Sequence, residues 1–432
     1  PAVLPLEVWA SPEPTFARIG QGRWRDQLYE TGHDIRDGDV DRIADLGVRA
    51  TRYPVLWERV APHHPRERDY RWATQRLTAL ANRGVEPIVT LLHHGSGPAY
   101  TSLVDPAFPH LFAEYAAATA RRFPWVKRWT PINEPLTTAR FSTLYAAWYP
   151  NAFFDDAAFG RAIVNEVLAI AYAAERIRDV IPDARFLLTE DLQSFTAADA
   201  GVEDYVAHKR ERTFLSCELL QGRVIDGHPM HRYLVERCQV DAALLRRLER
   251  RPQPPDVMGW NYYPNSERWL ESDREGGHRN VGIVDVAPER LDMRALLRAA
   301  YARLGLPFAL SEVHVFGNER ERARWMLHRF DDVRAVVADG VPVTAFGAWA
   351  AFGMVDWVSL LRRAERVCED GIYTCAEPGE APVRTLVVDV VQALAAGRIP
   401  AAPDEPGWWE RGRARAEGIG EVSQMPSFGI AS

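Results

Sequence analysis

The sequence predicts an α/β protein that folds as a single-domain (β/α)8 barrel, also called a TIM barrel. Eight short apolar strand patterns recur along the 432 residues, and most of them are followed by a helical pattern. Polar residues close many of these apolar runs, as expected where strands end at the mouth of a barrel. The alternation favours a parallel sheet, because each parallel crossover needs a covering helix.

The predicted strands and helices alternate in chain order. Apolar and β-branched runs predict strands at residues 4–10, 48–55, 85–93, 126–133, 185–190, 257–263, 307–313 and 341–349. Helical periodicity predicts helices near residues 37–47, 72–83, 106–122, 159–181, 291–303, 320–338 and 383–395. The first of these helices has Asp residues at its start and Gly47 at its end, as helix boundaries commonly do.

Two segments between these elements carry weaker patterns. Residues 196–255 contain helical segments that end in the proline-rich run 251–256, and a polar loop is expected after residue 263. An open, doubly wound sheet is the alternative fold. It is disfavoured because neither G-x-G-x-x-G nor G-x-x-x-x-G-K-[ST] follows an early strand.

The barrel is expected to occupy residues 1–398, followed by a C-terminal extension at 399–432. The extension is rich in proline, glycine and charged residues. Its two aromatic residues, Trp408 and Trp409, are expected to pack on the barrel. The last dozen or so residues are expected to be poorly ordered, as chain termini often are.

Composition excludes several classes of protein. Apolar residues make up 47% and charged residues 26% of the chain, which is ordinary for a globular protein. A net charge of −7 does not favour nucleic acid or an anionic membrane as a partner. The N-terminus lacks the basic and apolar regions of a secretory signal, and four scattered cysteines fit a reducing compartment. We therefore expect a cytoplasmic protein.

The residues that close the predicted strands define the candidate site. In a barrel of this kind, chemistry is carried by the loops at the C-terminal strand ends. The polar and aromatic residues at these ends are Arg52, His93, His94, Asn133, Glu134, Glu190, Asp191, Asn261, Tyr262, Tyr263, Glu312 and Trp349. The two glutamates after strands four and seven, Glu134 and Glu312, are predicted to lie across the mouth from each other. Paired carboxylates suit the hydrolysis of a glycosidic bond.

Six segments together resemble glycoside hydrolase family 1, the β-glucosidase-like retaining enzymes. They are TRYPVLWERVAP (51–62), TLLHHGSGP (90–98), TPINEP (130–135), GWNYY (259–263), ALSEVH (309–314) and AFGAWAAFGMVDW (345–357). The resemblance covers most of residues 1–396. It implies Glu134 as the general acid/base and Glu312 as the nucleophile, with no metal or other cofactor and a glycoside as the substrate.

The resemblance also implies a set of sugar-binding residues. Arg52 would lie beneath the nucleophile, Tyr263 would hydrogen-bond to it, and Trp349 would form the floor of the sugar site. The full set of matched binding positions is Arg52, His93, His94, Asn133, Asn261, Tyr263, Trp349, Asp356 and Trp357.

A closer likeness is to barrels that precede a domain resembling dTDP-4-dehydrorhamnose reductases. The shared segments are TGHDIR (31–36), RYPVLWE (52–58), TED (189–191) and PGWW (406–409). The reductase segment itself is missing from the 432 residues, so the likeness implies no NAD(P) chemistry.

Several positions depart from the family pattern. His94 replaces the usual tryptophan, Val313 and His314 replace Asn-Gly, and Asp356 replaces a glutamate. The strand-one glutamine is replaced by Phe16 or Ala17. A site that loses hydrogen-bonding partners for hydroxyls changes its substrate preference. We therefore expect a modified or non-glucose sugar.

Two other functions remain open from the sequence. The first is a weak or inactive barrel that binds a glycan or a partner protein. The second is a metal-dependent barrel hydrolase built on the histidines and carboxylates, which is disfavoured because no H-x-H or H-E-x-x-H spacing occurs. For Glu13, Glu190 and Asp191, a substrate contact and a purely structural role are equally plausible. The oligomeric state is not predicted.

Overall fold

The computed structural model describes residues 6–273 and 277–411, and its eight parallel strands close into the predicted (β/α)8 barrel. The strands follow one another around the barrel in chain order. They are β1 (Glu7–Ala10), β2 (Ala50–Pro54), β3 (Glu86–His93), β4 (Arg128–Asn133), β5 (Arg185–Asp191), β6 (Val257–Tyr262), β7 (Phe308–Val313) and β8 (Val343–Ala348).

One helix in each crossover covers the outside of the barrel. These helices are α1 (Asp39–Asp45), α2 (Arg71–Asn82), α3 (Phe108–Arg122), α4 (Asp156–Arg178), α5 (Ala242–Arg250), α6 (Met293–Leu304), α7 (Glu319–Ala338) and α8 (Leu386–Ala395). Further helices outside this ring lie at Gln27–Glu30, Trp57–Val60, Pro135–Thr143, Glu203–Thr213, Leu215–Leu220, Pro229–Arg232, Ile283–Val286 and Trp408–Arg411.

Local chemistry explains where the main helices begin. Asp155 caps α4 by accepting a hydrogen bond from the backbone N–H of Ala158. Asn318 and Glu321 form a capping box at the start of α7. The seven helices predicted from periodicity all occur, with boundaries shifted by a few residues.

Apolar side chains fill the lower interior of the barrel. Trp9, Ala50, Ile88, Leu187, Ala309 and Ala345 form one buried cluster inside the strands. The large core lies between the strands and the surrounding helices. The interior is therefore a packed layer on which the polar residues at the strand ends rest.

Helix α4 is apolar enough, over its 23 residues, to pass a length and composition test for a membrane span. However, 83% of the most apolar stretch of this helix is buried inside the protein, as is typical of a helix that packs on the core of a barrel.

One loop prediction was wrong. The expected polar loop after residue 263 contains strands Glu267–Ser272 and His278–Gly282. Glu267–Ser272 is the middle strand of a three-stranded sheet, with His278–Gly282 on one side and Ser194–Ala197 on the other. These strands are short and carry charged residues, so they lack the alternation that identifies a strand. Directly after β4, residues Pro135–Thr143 form a further helix.

The C-terminal segment packs on the barrel over its described part. Trp409 is 2% exposed, and its ring lies 5.0 Å from that of Trp325 in α7. The indole N–H of Trp408 donates to the carbonyl of Phe316 at 2.7 Å. The prediction about the last dozen residues lies outside the described residues. All four cysteines are free.

Candidate active site

The register of the barrel brings the predicted site residues to one level. His93 at the end of β3 pairs with Asn133 at the end of β4, and Asn133 pairs with Thr189 in β5. On the other side, Glu312 in β7 pairs with Asn261 in β6. Parallel strands that share this register present their last side chains to the same end of the barrel.

The end of β4 delivers two adjacent polar side chains. Asn133 is the last residue of the strand, and Glu134 has a left-handed backbone with φ of 45° and ψ of 60°. Pro135 then begins a helix. A left-handed conformation is uncommon outside glycine and is costly, so surrounding structure must hold it in place. This turn directs Glu134 away from the path of the strand.

Glu134 is buried among polar neighbours that carry no positive charge. Its Oε1 accepts a hydrogen bond from Asn261 Nδ2 at 2.7 Å, and its Oε2 lies 3.6 Å from His94 Nε2. Burial raises the pKa of Glu134 well above the usual range, and the nearby negative charge of Glu312 raises it further. The carboxyl group is therefore suited to hold a proton near neutral pH.

Glu312 lies between two hydrogen-bond donors. Arg52 Nη1 donates to Oε1 at 2.6 Å, and the Tyr263 hydroxyl donates to Oε2 at 2.5 Å. Burial raises the pKa of Glu312, whereas Arg52 and Tyr263 oppose this increase by stabilising the ionised form. The two glutamates therefore occupy different electrostatic environments.

A β-bulge in β7 sets the direction of Glu312. Leu310 pairs with Trp260, and Glu312 pairs with Asn261, so Ser311 is an extra residue on the β7 side. The hydroxyl of Ser311 donates to Asn261 Oδ1 at 2.6 Å. Bulges of this kind commonly redirect a side chain next to an active site.

Asn133 connects Arg52 to the histidines. Its Oδ1 accepts hydrogen bonds from Arg52 Nη2 at 2.5 Å and from the Thr189 hydroxyl at 2.8 Å. Its Nδ2 lies 3.1 Å from His93 Nε2 and 3.3 Å from His94 Nε2. The amide therefore fixes the positions of several predicted site residues at once.

His94 lies where it can contact the carboxyl group of Glu134. Its backbone is left-handed with φ of 55°, and its Nδ1 lies 3.1 Å from the Thr138 hydroxyl. Burial lowers the pKa of His94 to about 3, with Arg52 as a second cause, so its ring is neutral at ordinary pH. His94 therefore adds no positive charge beside the carboxyl group of Glu134.

Glu13, for which the sequence left a substrate contact and a structural role open, lies among the predicted site residues. Its Oε2 accepts from the indole Nε1 of Trp349 at 3.3 Å, and its Oε1 is 3.7 Å from His93 Nε2. The backbone N–H of Thr15 donates to Oε1 at 2.8 Å. The sequence offers one sign of this position, a carboxylate shortly after β1. Such a carboxylate is equally typical of an ordinary surface loop.

The rings of His93 and Trp349 form one wall of the site. They are stacked with centroids 5.9 Å apart and an interplanar angle of 8°. His314, next to the bulge, lies with Nδ1 3.0 Å from the carbonyl of Trp349. The replacement of Asn-Gly after Glu312 therefore adds a contact between β7 and the end of β8.

Asp356 faces the protein on both of its oxygens. Oδ2 accepts from Arg25 Nη2 at 2.8 Å, and Oδ1 accepts from the backbone N–H of Val367 at 2.8 Å. Trp357 is closer to the site, with its ring centroid 5.5 Å from that of His94. The hydroxyl-binding role of Asp356 stays a prediction, because these partners already use its carboxylate.

Glu190 and Asp191 are largely engaged by the surrounding loops. Glu190 accepts hydrogen bonds from the backbone N–H of Leu136 and the hydroxyl of Ser216. Asp191 accepts from Ser266 and Gln193. Glu190 thereby helps to support the turn after β4. Within the described residues, no cluster of His, Cys, Asp and Glu is arranged to hold a metal ion.

The profile of glycosyl hydrolase family 1 matches residues 20–281, more than half of the chain. The chain belongs to this family. This family 1 protein is therefore a glycoside hydrolase, and its substrate is a glycoside.

Curated relatives of this family 1 enzyme include two enzymes named for phosphorylated substrates. It is 24% identical to a 6-phospho-β-glucosidase of Dickeya chrysanthemi, with 74% of this chain and 75% of the relative aligned. It is 22% identical to the aryl-phospho-β-D-glucosidase BglH of Bacillus subtilis, with 77% and 78% aligned.

Solved structures agree with the fold. The family 1 β-glucosidase of Thermotoga maritima superimposes with a TM-score of 0.76 at 16% sequence identity, covering 93% of this chain and 99% of the other. At this identity the superposition establishes the (β/α)8 barrel of this enzyme and not its substrate.

Proposed function

We propose that this enzyme cleaves a β-glycosidic bond with retention of configuration, by double displacement. Glu312 attacks the anomeric carbon, while Glu134 gives its proton to the departing oxygen. Glu134 then removes a proton from water, which attacks the covalent glycosyl–Glu312 ester and releases the sugar. Arg52 and Tyr263 hold Glu312 in position for the attack.

The contrast between the two carboxyl groups carries this proposal. Glu312 receives two strong donors, one of them a guanidinium, whereas Glu134 receives an amide and lies beside a neutral histidine. A pair of carboxyl groups whose pKa values are separated by their surroundings can supply a nucleophile and an acid at one pH. A site that only binds a glycan has no need for this difference.

The residues around the predicted sugar site favour a substrate other than unmodified glucose. Glu13 stands beside His93 and Trp349, and Phe16 or Ala17 replaces the family's strand-one glutamine. Asp356 already binds Arg25 and Val367. Fewer free partners for hydroxyl groups favour a deoxygenated or otherwise modified sugar. A panel of aryl glycosides that differ only in the sugar tests this point, and turnover of the glucoside at the rate of ordinary β-glucosidases would contradict it.

Substitution of each carboxyl group tests the catalytic assignment. Glu312→Gln is expected to lower kcat by roughly 10⁴-fold or more on every substrate, because the nucleophile is lost. Glu134→Gln is expected to lose about 10²–10⁴-fold on glycosides with poor leaving groups but little on activated ones. Glu365→Gln, at an exposed position, is the matched control.

The stereochemical course distinguishes retention from inversion. Proton NMR of early product is expected to show the β-anomer first, before mutarotation. With azide present, the Glu134→Gln variant is expected to form a β-glycosyl azide. First release of the α-anomer would contradict the double displacement, and parental activity in both Gln variants would contradict the assignment of the two residues.

A further inference from the structure

Three buried cations lie beside the acid/base side of the mouth and have no role in the reaction described above. They are Arg140, Lys209 and Arg212, each at most 5% exposed. Arg140 belongs to the helix that starts directly after Glu134, and the other two belong to helix Glu203–Thr213. We call these three residues the cation cluster.

The cation cluster lacks carboxylate partners. Within residues 6–273 and 277–411, no ion pair joins any of its members to an aspartate or glutamate. Arg140 Nε and Arg212 Nη2 are buried with no hydrogen-bond partner in the same described part of the chain. Lys209 Nζ lies over the rings of Tyr205 at 4.6 Å and Phe195 at 5.1 Å.

Unpaired buried charges are costly, so a cluster of three cations favours a negatively charged occupant. Tyr145 provides part of the compensation, because Arg212 donates a hydrogen bond to its hydroxyl. Burial raises the pKa of Tyr145, but Lys209, Arg212 and Arg140 outweigh this effect and lower it to about 7. Burial also lowers the pKa of Lys209 to about 7; Tyr145 opposes this effect, and Arg212 and Arg140 add to it.

Two nearby acidic groups interact with one member of the cluster at a distance, without a direct ion pair in the described residues. Arg140 interacts electrostatically with Glu190 and Asp191, the same carboxylates that help to raise the pKa of Glu134. Their oxygens accept hydrogen bonds from Leu136, Ser216, Ser266 and Gln193. This shared neighbourhood also locates the cluster near Glu134.

We propose that the cation cluster binds an anionic group, a carboxylate or phosphate, on the leaving group of the substrate. The leaving group lies on this side because Glu134 protonates the departing oxygen, so the inference rests on the proposed role of Glu134. The neighbouring aromatic residues Tyr145, Phe141 and Phe153 suit an aromatic leaving group, with Phe153 57% exposed. The natural substrate is then a glycoside of an anionic aromatic or similar aglycone.

Paired chromogenic substrates test the proposal. The parent enzyme is compared on 4-nitrophenyl and 3-carboxy-4-nitrophenyl β-glycosides of the same sugar. The parent is expected to show a kcat/KM at least about tenfold higher for the carboxylated substrate, since a hydrogen bond between charged groups strengthens binding by roughly this factor or more. Lys209→Met and Arg212→Met are each expected to reduce this preference about tenfold.

Lys127→Met is the matched control, because Lys127 is the other lysine of the chain and pairs with Asp183 at the surface. It is expected to keep the parental preference. Equal kcat/KM for the two substrates in the parent, or a preference that survives in both cluster variants with parental Tm, would overturn the proposal.

Direct binding separates this inference from the proposed catalysis. By isothermal titration, free 3-carboxy-4-nitrophenol is expected to bind the parent and to bind Lys209→Met at least about tenfold more weakly. Equal binding would overturn the inference, whether or not either glycoside is hydrolysed. A 4-nitrophenyl 6-phospho-β-glucoside places the anion on the sugar instead. If Lys209→Met weakened this substrate as much as the carboxylated one, the leaving-group placement would be wrong.

Discussion

At the scale of single residues, burial and neighbouring charges decide which carboxyl groups of the site hold a proton. Glu13, Glu134 and Glu312 are all buried, and burial raises the pKa of each. Only Glu312 has a guanidinium within hydrogen-bonding distance, from Arg52 at 2.6 Å. The residue that most needs to be ionised is thus the one with a cationic partner.

The proton held by Glu13 in the folded protein makes the stability of the protein depend on pH. Burial, with Glu312 as the second cause, raises its pKa from an ordinary 4.5 to about 8. Between these values the folded protein keeps the proton while the unfolded chain loses it. The contribution is therefore fully present below about pH 4.5 and is lost as pH rises towards 8.

Glu13→Gln removes this titration. The free energy of unfolding of the parent minus that of Glu13→Gln is expected to fall steadily between about pH 5 and pH 8, because only the parent has this proton to lose. Urea denaturation at several pH values measures the difference, with the exposed Glu365→Gln as reference. A difference that is constant across this range would contradict the buried, protonated state of Glu13.

At the scale of elements, the bulge in β7 depends on the strand beside it. Gly347 in β8 lies against Ser311, and a Cβ atom on Gly347 would come within 2.3 Å of the Ser311 carbonyl oxygen. The backbone around Ser311 cannot move away easily, because Glu312 follows it directly in the same strand. Gly347 is therefore required for close approach of the two strands.

Gly347→Ala is expected to destabilise the protein by about 1–3 kcal/mol or more, as overpacked core positions do. It is also expected to lower kcat, because the displaced bulge carries Glu312. Thermal unfolding and steady-state kinetics measure the two effects. Gly20→Ala is the control, since a Cβ there meets no atom within 4 Å. Equal stability of the two variants would show that β7 and β8 adjust without strain.

At the scale of the whole molecule, the barrel and the segment after α8 form one packed unit in the described residues. Trp409 packs against Trp325, while Arg324 in α7 forms an ion pair with Glu410 at 2.6 Å. Helix α7 is the helix that follows the Glu312 strand. We therefore propose that part of the segment 399–432 belongs to the structural unit of the barrel.

Trp409→Ala is expected to cost about 3–5 kcal/mol of unfolding free energy, the usual range for removal of a large buried aromatic side chain. Trp125→Ala is the control, because Trp125 is 42% exposed and its removal should change stability by only about 0.5 kcal/mol. Chemical denaturation compares the two. If Trp409→Ala were as stable as Trp125→Ala, the C-terminal segment would be only an attached extension.

The sequence by itself determined the barrel and the family. Periodicity is a local property, so alternating strands and helices can be recognised without knowledge of contacts, and motifs such as TPINEP identify strand ends. The sequence did not predict strands Glu267–Ser272 and His278–Gly282, because their charged residues obscure the alternation of a strand and the pairing of Glu267–Ser272 with Ser194–Ala197 is not local.

Only the tertiary structure decided which side chains meet at the site. The place of Glu13 beside Trp349, the partners of Asp356, and the cation cluster all join residues that are far apart in the chain. Burial and charge separation, which set the protonation of Glu134 and Glu312, arise from these long-range contacts. The sequence supplies the reactive side chains, and the register of the strands in the closed barrel decides which of them lie next to one another.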